Sequence, residues 1–214
     1  MQKYYRGETR INKMKETQIK PDLKFGTPIW HYSCPNAETL NKSLISAAYK
    51  LQKKEPPNNR SGINTWQSNK SVHFMPETQS FFSGINELIV GILKTHSPSD
   101  LIFGVQSAWF NVNPPNSLNA RHNHRGHAYA GVYILQTPPD SGALILHDPR
   151  FQLSVLPPVF PPSNLLDSRL QPPLKAGDVI IFPSWLEHSV SLNESREDRI
   201  SLAFNMGWER QVSK

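Results

Sequence analysis

Three histidines have the residue type and the spacing that metal binding requires. His122 and His124 are separated by one residue, so on an extended strand their side chains point to the same side. His188 follows a short apolar run bounded by Gly177 and Pro183, which is typical of a buried strand that ends in a turn. Neutral imidazoles on one face suit iron, zinc, copper or nickel and leave other coordination positions open. A His-x-His pair alone is also compatible with a surface loop that binds no metal.

The run from Arg199 to Met206 alternates polar and apolar residues, as a strand does. Arg199 and Ser201 fall on one face of this strand, whereas Ile200 and Leu202 fall on the other. A polar face of this kind is compatible with an ordinary half-buried strand whose polar side meets solvent. It is also compatible with a carboxylate-binding site, because a guanidinium binds a carboxylate in a planar, bidentate pair. The histidines upstream favour the second interpretation, a metal site with a carboxylate-binding arginine, as in an oxygenase.

These residues belong to an ordered set of motifs that extends from about Lys24 to Asn205. The set comprises His122-Asn123-His124, Gly131-Val132-Tyr133, Asp148-Pro149-Arg150, Phe182-Pro183-Ser184-Trp185, His188 and Arg199. With this set the chain resembles the iron(II)/2-oxoglutarate-dependent oxygenase superfamily. Within the superfamily it is similar to a small 2OG-Fe(II) oxygenase group, often encoded by bacteria and phages, that is related to prolyl hydroxylases.

The resemblance implies a double-stranded β-helix, a jelly-roll barrel whose mouth holds the metal. It makes His122 the first metal ligand and His188 the distal one. His124 stands where most of the superfamily has Asp or Glu, although the small group also tends to have His there. Asp148 is an alternative third ligand, but an Asp-Pro sequence is more typical of a turn. A third histidine would remove one negative charge and make an iron site more cationic.

The resemblance also implies the cofactors, Fe(II) and the co-substrate 2-oxoglutarate, with O2 as oxidant. Arg199 would bind the distal carboxylate of 2-oxoglutarate, and Ser201 would donate its hydroxyl to the same group. Tyr133 would line the co-substrate pocket, and the amide of Asn111 would face inward to orient 2-oxoglutarate or the substrate. The expected reaction is hydroxylation of an unidentified small molecule or peptide, with release of succinate and CO2.

Two other functions fit parts of the same pattern. A cupin-type metalloenzyme would use three histidines without 2-oxoglutarate, and Gly177, Pro183 and His188 fit the spacing of a second cupin motif. Cupins usually have a Glu shortly after His-x-His, which this chain lacks, and Arg199 would then have no role. A binding barrel without catalytic activity is the third interpretation, which the missing metal-binding carboxylate keeps open.

The elements that position these residues divide into helices followed by strands. Helical spacing of apolar residues predicts helices from Asn36 to about Lys54 and from about Glu77 to Lys94. A strand is expected around 24–31, and further strands at 105–113, 127–136, 142–147, 177–182, 187–192 and 199–207. This order predicts an α+β, mainly β fold in which the helices support one sheet of the barrel. The proline-rich segments 156–162 and 171–173 are expected to form a loop.

Composition is consistent with one catalytic domain over residues 21–210, preceded by a basic extension at 1–20. The chain has 214 residues and a formal net charge of +6, but many of the basic residues lie in the extension, and no nucleic-acid-binding module is recognisable. A nucleic-acid partner is therefore not expected. The single Cys34 cannot form an internal disulfide. No apolar run is long enough to span a membrane and no secretory leader is recognisable, so a cytoplasmic location is expected.

Overall fold

Two antiparallel β-sheets and two helices make up the computed structural model, which describes residues 26–35, 37–58, 60–69, 71–93, 101–150 and 168–210. The helices are α1 (Ala37–Gln52) and α2 (Pro76–Leu93), and the strands are β1 (Trp30–Ser33), β2 (Gly62–Ile63), β3 (Trp66–Gln67), β4 (Leu101–Asn113), β5 (Leu118–His122), β6 (Tyr129–Gln136), β7 (Leu144–His147), β8 (Arg169–Leu170), β9 (Asp178–Pro183), β10 (His188–Val190) and β11 (Arg199–Arg210).

The larger sheet has the strand order β1-β9-β6-β11-β4-β3, and the smaller sheet has the order β2-β5-β10-β7-β8. Strand β11 pairs with β4 along its whole length and with β6 from Ile200 to Met206. Both long edges of β11 are therefore hydrogen-bonded, which fixes the positions of its side chains. Two facing antiparallel sheets agree with the predicted jelly-roll barrel.

The hydrophobic core has two parts, one on each face of the larger sheet. The first part packs α1 and α2 against the sheet, with Leu44, Phe81 and Phe204 among its buried side chains. The second part lies between the sheets and contains Leu146 of the smaller sheet and Phe182 of the larger one. The helices thus cover one face of the larger sheet, as the sequence predicted, and the opposite face is turned toward the smaller sheet.

The predicted elements agree with the structure except at a few ends and in the smallest strands. Both helices form close to their predicted bounds, although Asn36, the predicted start of the first helix, lies outside the described residues. The strand expected at 24–31 is found at Trp30–Ser33. Strand β5 was not predicted, because its sequence Leu-Asn-Ala-Arg-His lacks apolar alternation. The extension 1–20 and the proline-rich segment 156–162 also lie outside the described residues, and no described helix is long and apolar enough to cross a membrane.

Candidate metal and co-substrate site

The three histidines of the sequence motifs meet between the two sheets. Strand pairing places His122, the last residue of β5, opposite His188, the first residue of β10, and their ring centroids are 4.3 Å apart. The His124 ring lies 5.2 Å from that of His122 and 4.9 Å from that of His188. One nitrogen of each ring lies within 4.8 Å of the others. In the described part of the chain, this group of potential ligands contains no carboxylate.

Each of the three imidazoles has an oxygen acceptor beside its Nδ1 atom. Nδ1 of His122 lies 2.7 Å from the Ala120 carbonyl oxygen, and Nδ1 of His188 lies 3.0 Å from the Leu186 carbonyl oxygen. These oxygens can only accept, so the proton belongs on Nδ1 and Nε2 keeps its lone pair. The same tautomer in both rings makes Nε2 the nitrogen available to a metal.

The third imidazole, His124, is oriented by a side chain that sequence reasoning did not single out. Its Nδ1 is hydrogen-bonded to Oδ1 of Asn205, and Nδ2 of Asn205 donates to Oγ of Ser107 at 3.1 Å. In this amide orientation Oδ1 of Asn205 accepts from the Nδ1–H of His124, which gives His124 the same tautomer as the other two. Trp109 stacks on the His124 ring at 5.5 Å between centroids. An amide and an indole thus fix this ring.

Burial keeps His122 and His188 uncharged. His188 is only 5 % exposed, and loss of solvation, reinforced by the nearby His122, lowers its pKa to about 3. Burial also lowers the pKa of His122. Both rings are therefore neutral near pH 7, which is the form that binds metal.

Arg199 is the most unusual residue of the site because it is buried and forms no ion pair with any residue that the structure describes. It is 3 % exposed, and among the described residues its Nε has no hydrogen-bond partner. Burial lowers the pKa of Arg199 to about 10, so the guanidinium remains charged at neutral pH. An isolated buried cation is costly, and an anionic ligand would offset that cost. A carboxylate of 2-oxoglutarate is such a ligand, so the residues present fit the co-substrate.

Arg199 and the three histidines line one small cavity between the sheets, here called the inner cavity. Ser201 and Asn111, both predicted from the sequence, line it as well. Nδ2 of Asn111 donates to Oγ of Ser201 at 3.3 Å, and Nε2 of Gln67 donates to Oδ1 of Asn111 at 2.7 Å. Gln67 was missed as a site residue because nothing in the spacing of Trp66-Gln67 indicates that β3 runs beside β4.

The structure corrects the assignment of Tyr133 to the co-substrate pocket. Its ring stacks on Phe81 of α2 at 4.6 Å between centroids, and its hydroxyl donates to Oδ1 of Asn41 at 2.6 Å. Neighbouring residues of a strand face opposite ways, so Val132 lines the inner cavity whereas Tyr133 points into the helix-side core.

Asp148, the alternative third ligand, lies outside the histidine group. Its carboxylate accepts hydrogen bonds from Nε and Nη2 of Arg150 at 3.0 and 2.6 Å. This pairing, chiefly the hydrogen bond from Arg150, lowers the pKa of Asp148. The Asp148-Pro149-Arg150 motif therefore forms a local ion pair between its first and third residues, and its carboxylate is not part of the histidine group.

A wider depression leads from solvent to the histidines and is here called the outer cleft. It has a volume of about 470 Å³, within the usual range for a small-molecule site. Its wall includes His122, His124 and Asn205 at the base and three arginines, Arg60, Arg121 and Arg125, around them. A substrate that enters by this cleft would reach the histidine group directly.

Residues 107–205 match the family described as "Putative 2OG-Fe(II) oxygenase". The matched segment contains the three histidines, Asn111, Arg199 and Ser201. Comparison with curated proteins gives no match.

Solved structures with the same fold include several oxygenases. A Pseudomonas putida prolyl-4-hydroxylase superposes with a TM-score of 0.62 at 16 % identity, covering 86 % of this chain and 94 % of its own. The viral collagen prolyl hydroxylase of Paramecium bursaria Chlorella virus-1, in complex with 2-oxoglutarate, gives 0.56 at 15 % identity, with 85 % and 96 % covered. HygX from Streptomyces hygroscopicus, with nickel and 2-oxoglutarate bound, gives 0.57 at 11 % identity, with 85 % and 83 % covered. At these identities the likeness establishes the fold.

The fold and the family match together confirm the resemblance on which the sequence interpretation rested. The protein is a 2-oxoglutarate/Fe(II)-dependent oxygenase, and its cofactors are Fe(II) and 2-oxoglutarate. The match to the family named above covers residues 107–205.

Proposed function

We propose that the protein hydroxylates an unreactive C–H bond of a small molecule or peptide. The reaction consumes O2 and 2-oxoglutarate, places one oxygen atom in the product alcohol and the other in succinate, and releases CO2. The metal would be held by His122, His124 and His188. The observation that carries the proposal is the buried Arg199, which forms no ion pair with a described residue and lines the same cavity as the three imidazoles.

When bound, the iron supplies the activation of O2, and the chain supplies binding and orientation. Arg199 receives the distal carboxylate of 2-oxoglutarate with its planar guanidinium, and the Ser201 hydroxyl donates to the same carboxylate. Asn111 holds Ser201, and its own amide is held by Gln67 and by Nε1 of Trp109. The co-substrate therefore meets polar groups that are already fixed before it binds.

An all-histidine ligand set couples the metal to the co-substrate through charge. Three neutral imidazoles leave the full +2 charge on Fe(II), whereas a carboxylate ligand would reduce it to +1. The carboxylate of 2-oxoglutarate next to the keto group would then reduce the charge of the metal site from +2 to +1, while the distal carboxylate would neutralise Arg199. We expect metal and 2-oxoglutarate to increase each other's affinity more strongly than in a site with an acidic ligand.

Arg199 provides the deciding test. The Arg199→Ala change should weaken 2-oxoglutarate binding by about 2–5 kcal/mol and leave metal binding nearly intact. Arg199→Lys should restore only part of the affinity, since an ammonium cannot form the planar pair. Calorimetry with 2-oxoglutarate on the metal-loaded protein, combined with an anaerobic search for the visible charge-transfer band of the Fe(II) complex, measures both effects.

Arg199→Met is the matched control for folding, because it removes an uncompensated buried charge at similar volume. This variant should be at least as stable as the parent in the absence of 2-oxoglutarate and should not bind the co-substrate. Equal 2-oxoglutarate affinity in the parent and Arg199→Ala would contradict the proposal. Metal-dependent activity without any 2-oxoglutarate binding would instead favour the cupin-type function.

A further inference from the structure

The outer cleft is strongly basic, and this charge is not used by the co-substrate site. Arg60, Arg121 and Arg125 line it, and no described Asp or Glu does. All three arginines are exposed. Within the described part of the chain, Arg121 alone of the three has a carboxylate partner, since its Nε donates to Oε2 of Glu187 at 2.8 Å. Arg60 and Arg125 have no carboxylate partner among the described residues, so two positive charges remain to act on a ligand in the cleft.

The positions of Arg60 and Arg125 suit contact with the substrate rather than with 2-oxoglutarate. Arg125 follows His124 directly in the chain, so its backbone lies beside a proposed metal ligand. Arg60 precedes the β2 strand that pairs with β5, so it approaches the histidines from another side. Neither residue lines the inner cavity, where Arg199 lies. A ligand that lies in the cleft is within roughly one Debye length, ~8 Å at physiological salt, of Arg60 and Arg125. Dissolved salt therefore screens their attraction to an anionic ligand only in part.

The rest of the lining indicates a small and polar ligand. Among the lining residues, only Trp109 and Ala120 are apolar, and Trp109 is only 8 % exposed. Asn58, Asn123 and His127 contribute further polar groups to the wall. A buried indole provides no surface on which successive bases could stack, as single-stranded nucleic acids require. The volume of about 470 Å³ is in the range of sites that hold one compact molecule.

We propose that the prime substrate is a small anionic molecule whose carboxylate or phosphate group is bound by Arg60 and Arg125 in the outer cleft. This inference rests on the proposed function, because the anion must lie in the cleft that leads to the histidines. Guanidinium groups bind both kinds of anion bidentately. Binding of the charged group at the rim would leave the remainder of the molecule to reach the metal.

The test uses the full-length protein loaded with Ni(II) and 2-oxoglutarate, so that the inner cavity is filled. Calorimetry then compares two matched pairs of probes, N-acetylglycine with N-acetylglycinamide and glycerol 3-phosphate with glycerol. We expect at least one anionic probe to bind while its neutral partner does not. In the double variant Arg60→Gln/Arg125→Gln the affinity for that probe should fall about tenfold, because the variant lacks the two exposed charge pairs between the arginines and the anionic probe.

The control is Arg196→Gln/Lys53→Gln, which removes the same charge at exposed positions outside the cleft and should leave probe affinity unchanged. Equal binding of a charged probe and its neutral partner would overturn the inference. So would absence of binding by both anionic probes, or an equal loss in the control variant. Tight binding of a single-stranded DNA oligonucleotide, lost in the double variant, would assign the cleft to a polyanion instead.

The 2-oxoglutarate affinity of the same samples separates this inference from the proposed function. If the parent protein fails to bind 2-oxoglutarate, the proposed function is wrong. If 2-oxoglutarate binds normally in the parent and within about twofold in the double variant, while the anionic probes do not bind, only the substrate class is wrong.

Discussion

At the scale of single residues, the site depends on side chains whose roles differ in how visible they are in the sequence. His122, His124 and His188 can be predicted because metal ligands need particular residue types at close spacing. Arg199 and Ser201 can be predicted because strand alternation places them on one face. Asn205 lies on that same face, yet an amide has no single chemical role, and its contact with His124 depends on how a turn folds back.

The contact between Asn205 and His124 leads to a prediction about metal affinity. Asn205→Leu removes the acceptor that fixes the His124 tautomer, so metal affinity should fall about 10–100-fold. Asn205→Asp keeps an acceptor and adds the negative charge that the all-histidine set lacks, so affinity should be maintained or increased. Competition with a chelator measures affinity, and a shift of the charge-transfer band of the Fe(II)·2-oxoglutarate complex reports on the ligand field.

Asn41→Leu is a suitable control because Asn41 is also a buried amide, but it bonds Tyr133 and the Leu135 carbonyl on the opposite face of the sheet. It should lower stability without changing metal affinity. If Asn205→Leu and Asn41→Leu had equal metal affinities, Asn205 would have only a structural role.

At the scale of elements, the strands with clear alternation or continuous apolar sequence were predicted, and the short polar ones were not. β9 and β11 could be recognised from their own residues, whereas β5 forms because β10 and β2 lie on its two sides. Alternation also explains the error at Tyr133. The resemblance to the oxygenases implied that Tyr133 lines the co-substrate pocket. In β6, however, residue 133 faces the helices, and residues 130 and 132 face the inner cavity.

Close packing between β6 and β11 predicts a strong effect of a single methyl group. A Cβ atom at Gly131 would lie 2.3 Å from the ring of Phe204, which is fully buried beneath α2. Gly131→Ala should therefore destabilise the protein by about 1–3 kcal/mol through overpacking. Gly104→Ala in β4 is the matched control, since no atom of the described residues lies within 4 Å of its added Cβ. Urea unfolding of both variants checks this, and equal midpoints would show that Phe204 moves freely.

At the scale of the whole molecule, the layer arrangement followed from the order of helices and strands, because helices that precede a run of strands must cover one face of a sheet. The outer cleft could not be predicted in this way. Its arginines come from two separate segments, residue 60 and residues 121–125, and only the folded chain brings Arg60 to the histidines. The net charge alone was a poor guide, since many basic residues lie in the first twenty positions.

Burial of histidine between the sheets predicts acid sensitivity of the metal-free protein. The pKa of His188 is about 3 when folded, against an ordinary value of 6.5. Between these values the unfolded chain binds a proton that the folded chain does not, so stability falls as pH decreases below 6.5. The slope for one such group approaches about 1.4 kcal/mol per pH unit. Urea unfolding of chelator-treated protein at pH 7 and pH 5 measures the loss.

His188→Gln is the comparison for this effect, because glutamine does not titrate and should give a smaller pH dependence. Bound metal should raise stability at pH 7, since it binds the folded state, and should be released on acidification as the ligands take up protons. If the unfolding free energy of His188→Gln changed with pH as steeply as that of the parent, other groups would be responsible for the loss of stability in acid.

The continuous pairing of β11 on both edges has a consequence for co-substrate length. Arg199 and Asn205 are six residues apart on one rigid strand, a separation of roughly 20 Å at ~3.4 Å per residue. The first residue holds the proposed carboxylate end, and the second fixes a proposed metal ligand. Since neither edge of the strand is free to slide, the interval between the two ends of the site does not adjust to the ligand. We therefore expect a dicarboxylic acid that is longer or shorter by one methylene to bind more weakly than 2-oxoglutarate, because the two proposed contacts cannot shift along the strand to follow it.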